Sequence, residues 1–434
     1  MNNANDNILP TTKEDRTTGL FKTIFIWLAG ALVIPTVMTG QMFIPDLSPI
    51  KAMQIVILAS LIGSIALAAI AAIGTKTGFT TFVYARRVFG KTGAKAFAVL
   101  NLFLLLGWLV IQGYLGGLAL NRILSELFGF ENIILSIFIT QGLVLLITLL
   151  GHKGIEKVES IVSSIMLVIA LAVIYYLLNE NGITSIQSLP LSDTPSLTYA
   201  IVFDIVLATA FSWMALPCDY NRYCTSVKTS VAGISTGYMI GTIVAMGLGI
   251  LVGSISILNG NEPSYDPASI SIGLFAIFAA LVMFLSVMTT NVMVLYSITM
   301  STMSLSSKLS FTKVAFIFGL IAALLTLFQE ALMASFFDWI LLVGAFMIPV
   351  FSIMLIDYYV LKNQDMSKKL ININIPAFIS YIISVLLSLY FTYQQPLEFG
   401  VTAITFIFAG GLYYFLKLLA LKNKEVTSIL ENVQ

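Results

Sequence analysis

Ser286, Thr289 and Thr290 follow the i, i+3, i+4 spacing that stacks side chains on one helical face. Hard monovalent cations take oxygen ligands. Three hydroxyls with two carbonyls freed by a broken helix would supply five, and Asn291 follows directly. Hydroxyls in a membrane span also bond back to their own helix, so the cluster reads equally as self-satisfied packing. Trp108 and Gln112 are four apart and share a face. An aromatic slab beside an amide that both donates and accepts suits a flat heterocycle, since stacking a base contributes about 1–3 kcal/mol. The competing reading is a packed indole and an interhelical amide bond. Asp204 lies inside an apolar run, where charges are costly and often functional. It would serve as proton carrier or cation lure, or simply reach outer water. Asp219 and Arg222, spaced i, i+3, are expected to form a solvated or gate-forming ion pair at a cytoplasmic mouth. His152 is expected in a solvated loop, Cys218 and Cys224 as reduced packing thiols, and Asp357 in a structural role.

The elements that position these residues are membrane spans. The chain has 434 residues, 58% hydrophobic and only 10% charged, and its mean hydropathy is +0.97. A soluble globule cannot hide that much apolar surface. A net charge of +1 offers no field for nucleic acid. Apolar runs fall at 23–44, 52–74, 96–120, 132–150, 159–178, 199–217, 231–258, 272–301, 312–329, 335–360, 371–391 and 397–418. Twelve spans put both termini on one side. Of the 22 basic residues, only Lys51 and Arg122 fall on the other side, and positive-inside bias makes the terminal side cytoplasmic. Residues 1–22 are read as a polar tail, not a cleavable signal.

Two spans are interrupted. Pro35 and Gly40 lie in the first; Phe211-Ser212-Trp213 and Pro217 lie in the sixth. Broken backbone in lipid is tolerated where it is buried or lines a cavity. Breaks at corresponding places of two repeats point to a transporter site, although a plain proline kink reads the same way. Small residues in span 7, from Gly241 to Gly253, are expected at helix contacts. No paired intramembrane acids, phosphate-binding loop or repeated pore motif is visible, which argues against an enzyme, an ATP-driven pump and a channel.

Several motifs resemble the nucleobase–cation symporter family, which includes cytosine, purine, hydantoin and allantoin permeases. They are Gly74-Thr75-Lys76-Thr77-Gly78-Phe79-Thr80-Thr81, Ala85-Arg86-Arg87-Val88-Phe89-Gly90, Gly107-Trp108, Asp219-Tyr220-Asn221-Arg222-Tyr223, Thr289-Thr290-Asn291 and Asp357-Tyr358-Tyr359, in family order. The resemblance implies an all-α LeuT-type membrane fold of about twelve helices: a five-plus-five inverted repeat with two extra helices. It implies alternating access around a midplane site. It would place sodium on the carbonyls of Ala29, Leu32 and Ser286 and the hydroxyls of Thr289 and Thr290. Trp108 would be one aromatic slab, with Gln112 and Asn291 bonding the ligand. The position of the family's second slab is Ala210 here, which leaves Phe211, Ser212 and Trp213 as candidates. Leu105, Val292 and Met293 also depart from the cytosine permease pattern. A hydroxymethylpyrimidine, purine or hydantoin-like ring therefore suits as well as cytosine.

The resulting expectation is a monomeric importer in the cell membrane, with no cofactor besides a coupling sodium ion. A proton carried by Asp204 is the alternative, as is a hydantoin or allantoin substrate. The expected layout is a tail at 1–22, one transporter domain at 23–418 and a tail at 419–434. Within the domain, the repeats cover about 23–178 and 199–360, and the extra helices about 371–418. Cysteines introduced at Lys91, Lys157 and Lys228 should react with impermeant maleimide only from the cytoplasmic side. Labelling of any one from outside would break the twelve-span count.

Overall fold

Proline lacks the N–H that the carbonyl four residues upstream needs in a helix, and two prolines shape this fold. The computed structural model describes residues 6–261, 274–306, 308–328, 336–365 and 369–433. In it the first run is two helices, α1 (Leu20–Ala31) and α2 (Ile34–Gln41), bent by 56°. Pro35 cannot donate to the Ala31 carbonyl, so the Val33 N–H takes it at 3.0 Å from an extended backbone.

The chain continues through α3 (Pro49–Thr77), α4 (Thr81–Phe89), α5 (Gly93–Phe128), α6 (Ile133–Thr148), α7 (Gly151–Asn181) and the short α8 (Ile183–Gln187). The second break separates α9 (Tyr199–Ser212) from α10 (Pro217–Asn221). Pro217 likewise cannot serve the Trp213 carbonyl, and the Leu216 N–H replaces it at 3.1 Å. Then come α11 (Val227–Leu258), α12 (Leu274–Met303), α13 (Phe311–Leu325), α14 (Phe336–Leu355), α15 (Ile375–Leu389) and α16 (Thr402–Val433).

Each of the twelve expected runs contains helix among the described residues, counting each broken pair as one run, but the last two start late: 371–374 and 397–401 precede their helices. Positions 272, 273, 329 and 335 of those runs lie outside the described residues. The last helix continues beyond the expected end of its span at 418.

Glycines let the broken first span lie against α11. A Cβ on Gly249 would sit 2.0 Å from the Val37 carbonyl oxygen, and one on Gly40 2.2 Å from that of Met246. Gly241 meets Ala31 in the same way, as the small-residue stripe implies.

Residues 6–19, before α1, are tied to the helices. Thr11 donates its N–H to the Gly78 carbonyl at 3.0 Å and its hydroxyl to that of Arg222 at 2.8 Å. Asp6 accepts from the Tyr223 hydroxyl at 2.8 Å and the His152 N–H at 2.7 Å. Burial pushes the Asp6 carboxyl above the usual carboxylate range, against the pull of those two donors. His152 is therefore not in a solvated loop. It sits in the first turn of α7, 3% exposed, with its ring stacked 3.9 Å from that of Tyr223.

Gly249→Ala and Gly40→Ala should each cost about 1–3 kcal/mol through overpacking, read as a lower Tm in detergent. Gly411→Ala, with nothing within 4 Å of its added Cβ, should leave Tm unchanged.

Candidate functional site

Both breaks open onto one cavity of about 340 Å³. The first contributes Pro35 and Thr36, the second Ser212 and Trp213, and α5 contributes Trp108 and Gln112. Gln112 is 3% exposed, and its Oε1 has no hydrogen-bond partner among the described residues. A buried amide oxygen left unpaired loses the full cost of its desolvation unless a donor arrives. Trp213 stands edge-on to Trp27, 6.5 Å between ring centroids at 78°. Trp27 is in turn held by its Nε1–H donating to Asn221 Oδ1 at 2.8 Å.

The remaining expected ligand residues lie off the cavity. Phe211 packs on Phe406, 4.7 Å between rings, because its position on α9 faces the last helix. Asn291 turns its Nδ2 to the Leu109 carbonyl at 3.0 Å, so it clamps α5 one residue past Trp108. Thr36, Val294 and Gly344 line the cavity without a sequence signal, since a β-branched residue or glycine in a span reads as packing.

The expected cation ligands lie on α1, at the first break, and on α12. A continuous helix would have the Val33 N–H bond Ala29 and the Thr36 N–H bond Leu32. They bond Ala31 and Val33 instead, at 3.0 Å each. On α12 the Thr289 and Thr290 hydroxyls both donate to the Ser286 carbonyl at 2.9 Å. Their hydrogens are engaged, but their lone pairs stay available to a cation. Ser286 Oγ is buried and has no partner among the described residues. Leu285 packs in the cluster of Leu28 and Leu32, which puts this part of α12 against the break.

The charged candidates behave otherwise. Asp204 is 8% exposed and accepts backbone N–H bonds from Val401, Thr402 and Ala403 at 3.0–3.3 Å. It caps the N-terminus of α16, where the helix dipole favours a carboxylate. Gly400 makes room for it: a Cβ there would lie 2.2 Å from Asp204 Cγ. Asp219 and Arg222 form no ion pair and neither is solvated. Asp219 accepts from the Thr81 N–H at 2.9 Å and from the Ser297 hydroxyl, tying α10 to α4 and α12. Arg222 is 1% exposed and donates to the Asn7 carbonyl at 2.9 Å, that of Leu9 at 3.3 Å and Tyr223 Oη at 2.7 Å. The helix turn points the two side chains at different partners.

The fold is shared with solved transporters. A nucleobase-cation-symport-1 family transporter, Mhp1, in a closed conformation with bromovinylhydantoin bound, superposes with a TM-score of 0.82 at 20% identity, covering 97% of this chain and 96% of that one. A Na+-coupled sialic acid symporter superposes at 0.66 with 14% identity, over 93% and 90% of the two chains. The fold is of LeuT-type architecture, and with the family match that follows it defines a multi-pass membrane transporter, not an enzyme. The profile of permeases for cytosine/purines, uracil, thiamine and allantoin matches residues 10–415. The chain belongs to that family, the nucleobase–cation symporters to which the motifs point. A putative purine-cytosine permease of Bacillus subtilis, YxlA, is 25% identical over 421 residues, 91% of this chain and 88% of that one. An allantoin permease of the same organism is 36% identical over 125 residues, which span 29% of this chain and 26% of its own length.

Asp204→Ala should lower stability by about 0.5–2 kcal/mol, the usual effect of losing a helix cap, measured by thermal unfolding in detergent. An unchanged Tm would show that Asp204 does not hold α16.

Proposed function

We propose that the protein imports a neutral flat heterocycle by sodium symport, through alternating access. The substrate class is a nucleobase or a related ring such as a hydroxymethylpyrimidine, hydantoin or allantoin. The carrying observation is the unpaired Gln112 Oε1 buried beside Trp108 and Trp213 in one cavity. Two indoles offer stacking faces, and the amide offers an in-plane acceptor for a ring N–H. Of the span 6 candidates, Trp213 serves as second slab and Ser212 as a neighbouring hydroxyl. Asn291 serves by holding α5 below Trp108.

Sodium would sit on the carbonyls of Ala29, Leu32 and Ser286 with the hydroxyls of Thr289 and Thr290. Coupling follows from shared backbone. The break at Leu32–Thr36 supplies cation ligands on one side and cavity wall on the other, so filling one site restrains the other. One cation crossing about 100 mV releases roughly 2.3 kcal/mol. That supports about 50-fold accumulation of a neutral ligand. Proton coupling through Asp204 has less support, because three N–H donors already hold that carboxylate. The protein acts as a monomer in the cell membrane with both termini cytoplasmic, and it needs no cofactor.

The test is uptake of radiolabelled cytosine, hypoxanthine, hydroxymethylpyrimidine and allantoin into proteoliposomes, with and without a sodium gradient. Trp108→Ala and Trp213→Ala should each weaken every ligand by about 1–3 kcal/mol, roughly 5- to 150-fold, and Phe211→Ala far less. Gln112→Leu should change the ranking among rings. Thr289→Ala with Thr290→Ala should lower apparent sodium affinity by more than about tenfold. Intact affinities in Trp108→Ala would sink the aromatic-ligand reading.

A further inference from the structure

Glu159 has no part in the reading above. It lies two turns into α7, is 0% exposed, and neither carboxyl oxygen has a hydrogen-bond partner among the described residues. Its own helix offers no relief, because the Ser163 hydroxyl is engaged by the Glu159 carbonyl at 2.5 Å. The ammonium of Lys22 on α1 is taken by Glu156 at 2.5 Å. The other titratable groups around α7 are Asp6 of the N-terminal segment, Tyr220 on α10, Arg222, Tyr223 and Cys224 just after it, Lys228 and Tyr238 on α11 and Tyr296 on α12. Neither α6 nor α8 carries any, and α7 itself adds His152, Lys153 and Lys157 near Glu159 and Tyr175, Tyr176 and Glu180 at its far end. Tyr220 stands close enough to feel the charge of Glu159, but its hydroxyl donates to the Met293 carbonyl at 3.1 Å.

An ionised carboxylate with no donor and no counter-ion is strongly disfavoured in such a place, whereas a neutral carboxylic acid is tolerated. A metal cation would need several oxygens to replace its hydration shell, and this face of α7 supplies little besides the engaged Ser163 hydroxyl. A proton needs one oxygen.

Position adds the second argument. The buried face of α7 runs through His152, Ile155, Glu156, Glu159, Ser163 and Met166. About 10 Å from Glu159 toward the termini, His152 meets the N-terminal segment at Thr18, which also bonds Glu156. About 10 Å the other way, Met166 packs with Leu28 and Leu32 at the first break. Glu159 thus lies between the proposed cation site and the sealed terminal side.

We propose that Glu159 is a proton-binding site: it holds a proton while the terminal side is shut and releases it to water on that side when α7 opens. Opening and proton release are then linked, so higher pH on the terminal side favours the open state and lower pH holds it closed. The proposal rests on the alternating-access reading, but neither measurement below needs a substrate, so failure of heterocycle uptake leaves both decisive.

Infrared spectra of the purified full chain in lipid should show a protonated-carboxyl band that Glu159→Gln lacks. Spin labels at Lys157→Cys and Lys228→Cys, with the native Cys218 and Cys224 buried, would report the distance from α7 to α11. Raising pH from about 6 to about 8 should increase the open population at least about threefold in the wild-type background. Glu159→Gln, permanently neutral, should stay at the low-pH distribution, and Glu159→Asp should restore the pH response. Identical infrared spectra, a wild-type distribution that ignores pH, or a Glu159→Gln distribution that follows pH would each overturn the proposal. If Glu159→Gln is not monodisperse, Glu159→Asp and the wild-type pH series still decide it.

Discussion

Inside hydrocarbon every backbone N–H and C=O must find a partner within the protein, and this constraint governs the molecule. Pro35 and Pro217 violate the helical ladder in two spans. Each leaves a carbonyl without its usual donor, and a residue just upstream supplies a substitute, Val33 for Ala31 and Leu216 for Trp213. The substitute bonds cost the continuity of the helix. The released backbone then has to be enclosed by α5, α11 and α12. Polar main chain in a dry setting is also what a small ligand or ion can use, so the structural problem and the site coincide.

Enclosure is achieved from two directions. On one side the glycines of α11 bring that helix against the bent first span closely enough that a single Cβ would not fit. On the other, the Asn221 side chain joins Trp27 of α1 to Ser230 of α11, and Thr75 of α3 bonds the Asn221 carbonyl. Asp219 and Arg222 extend this knot outward, the first to α4 and α12, the second to the N-terminal segment. The seal below the cavity is therefore a set of buried hydrogen bonds with separate partners, each able to exchange for water if the elements part. A single strong ion pair between the two would not distribute itself over four elements in this way.

The span layout was legible because hydrocarbon imposes it on composition: apolar runs long enough to cross, basic residues gathered in alternate loops, prolines breaking spans one and six. Trp108 and Gln112 were legible because helical spacing places them on one face whatever packs against them. The choice among Phe211, Ser212 and Trp213 was not, because helix α9 ends at Ser212 and only the turn after it decides which ring faces inward. Asn291, one residue beyond the hydroxyl cluster, is grouped with the ligand by the family resemblance, and its helical position directs its Nδ2 at the Leu109 carbonyl.

What the amino-acid order determined by itself is whatever acts through the solvent or the local helix: membrane class, the helical runs, the breaks, the hydroxyl stripe. What only tertiary structure decided is the partner of each polar group. Asp204 reads as an intramembrane acid and proves to be the cap of a helix starting at Thr402. His152 reads as solvated and Arg222 as half of a solvated or gate-forming ion pair, yet both are buried under the segment around Asp6. Glu159 attracts no notice in a stretch with Glu156 and two lysines, and it is the buried carboxyl left without a donor among the described residues. Hydrogen-bond partners are set by residues up to 290 positions away. A side chain's own neighbours in sequence carry no information about which distant donor will reach it.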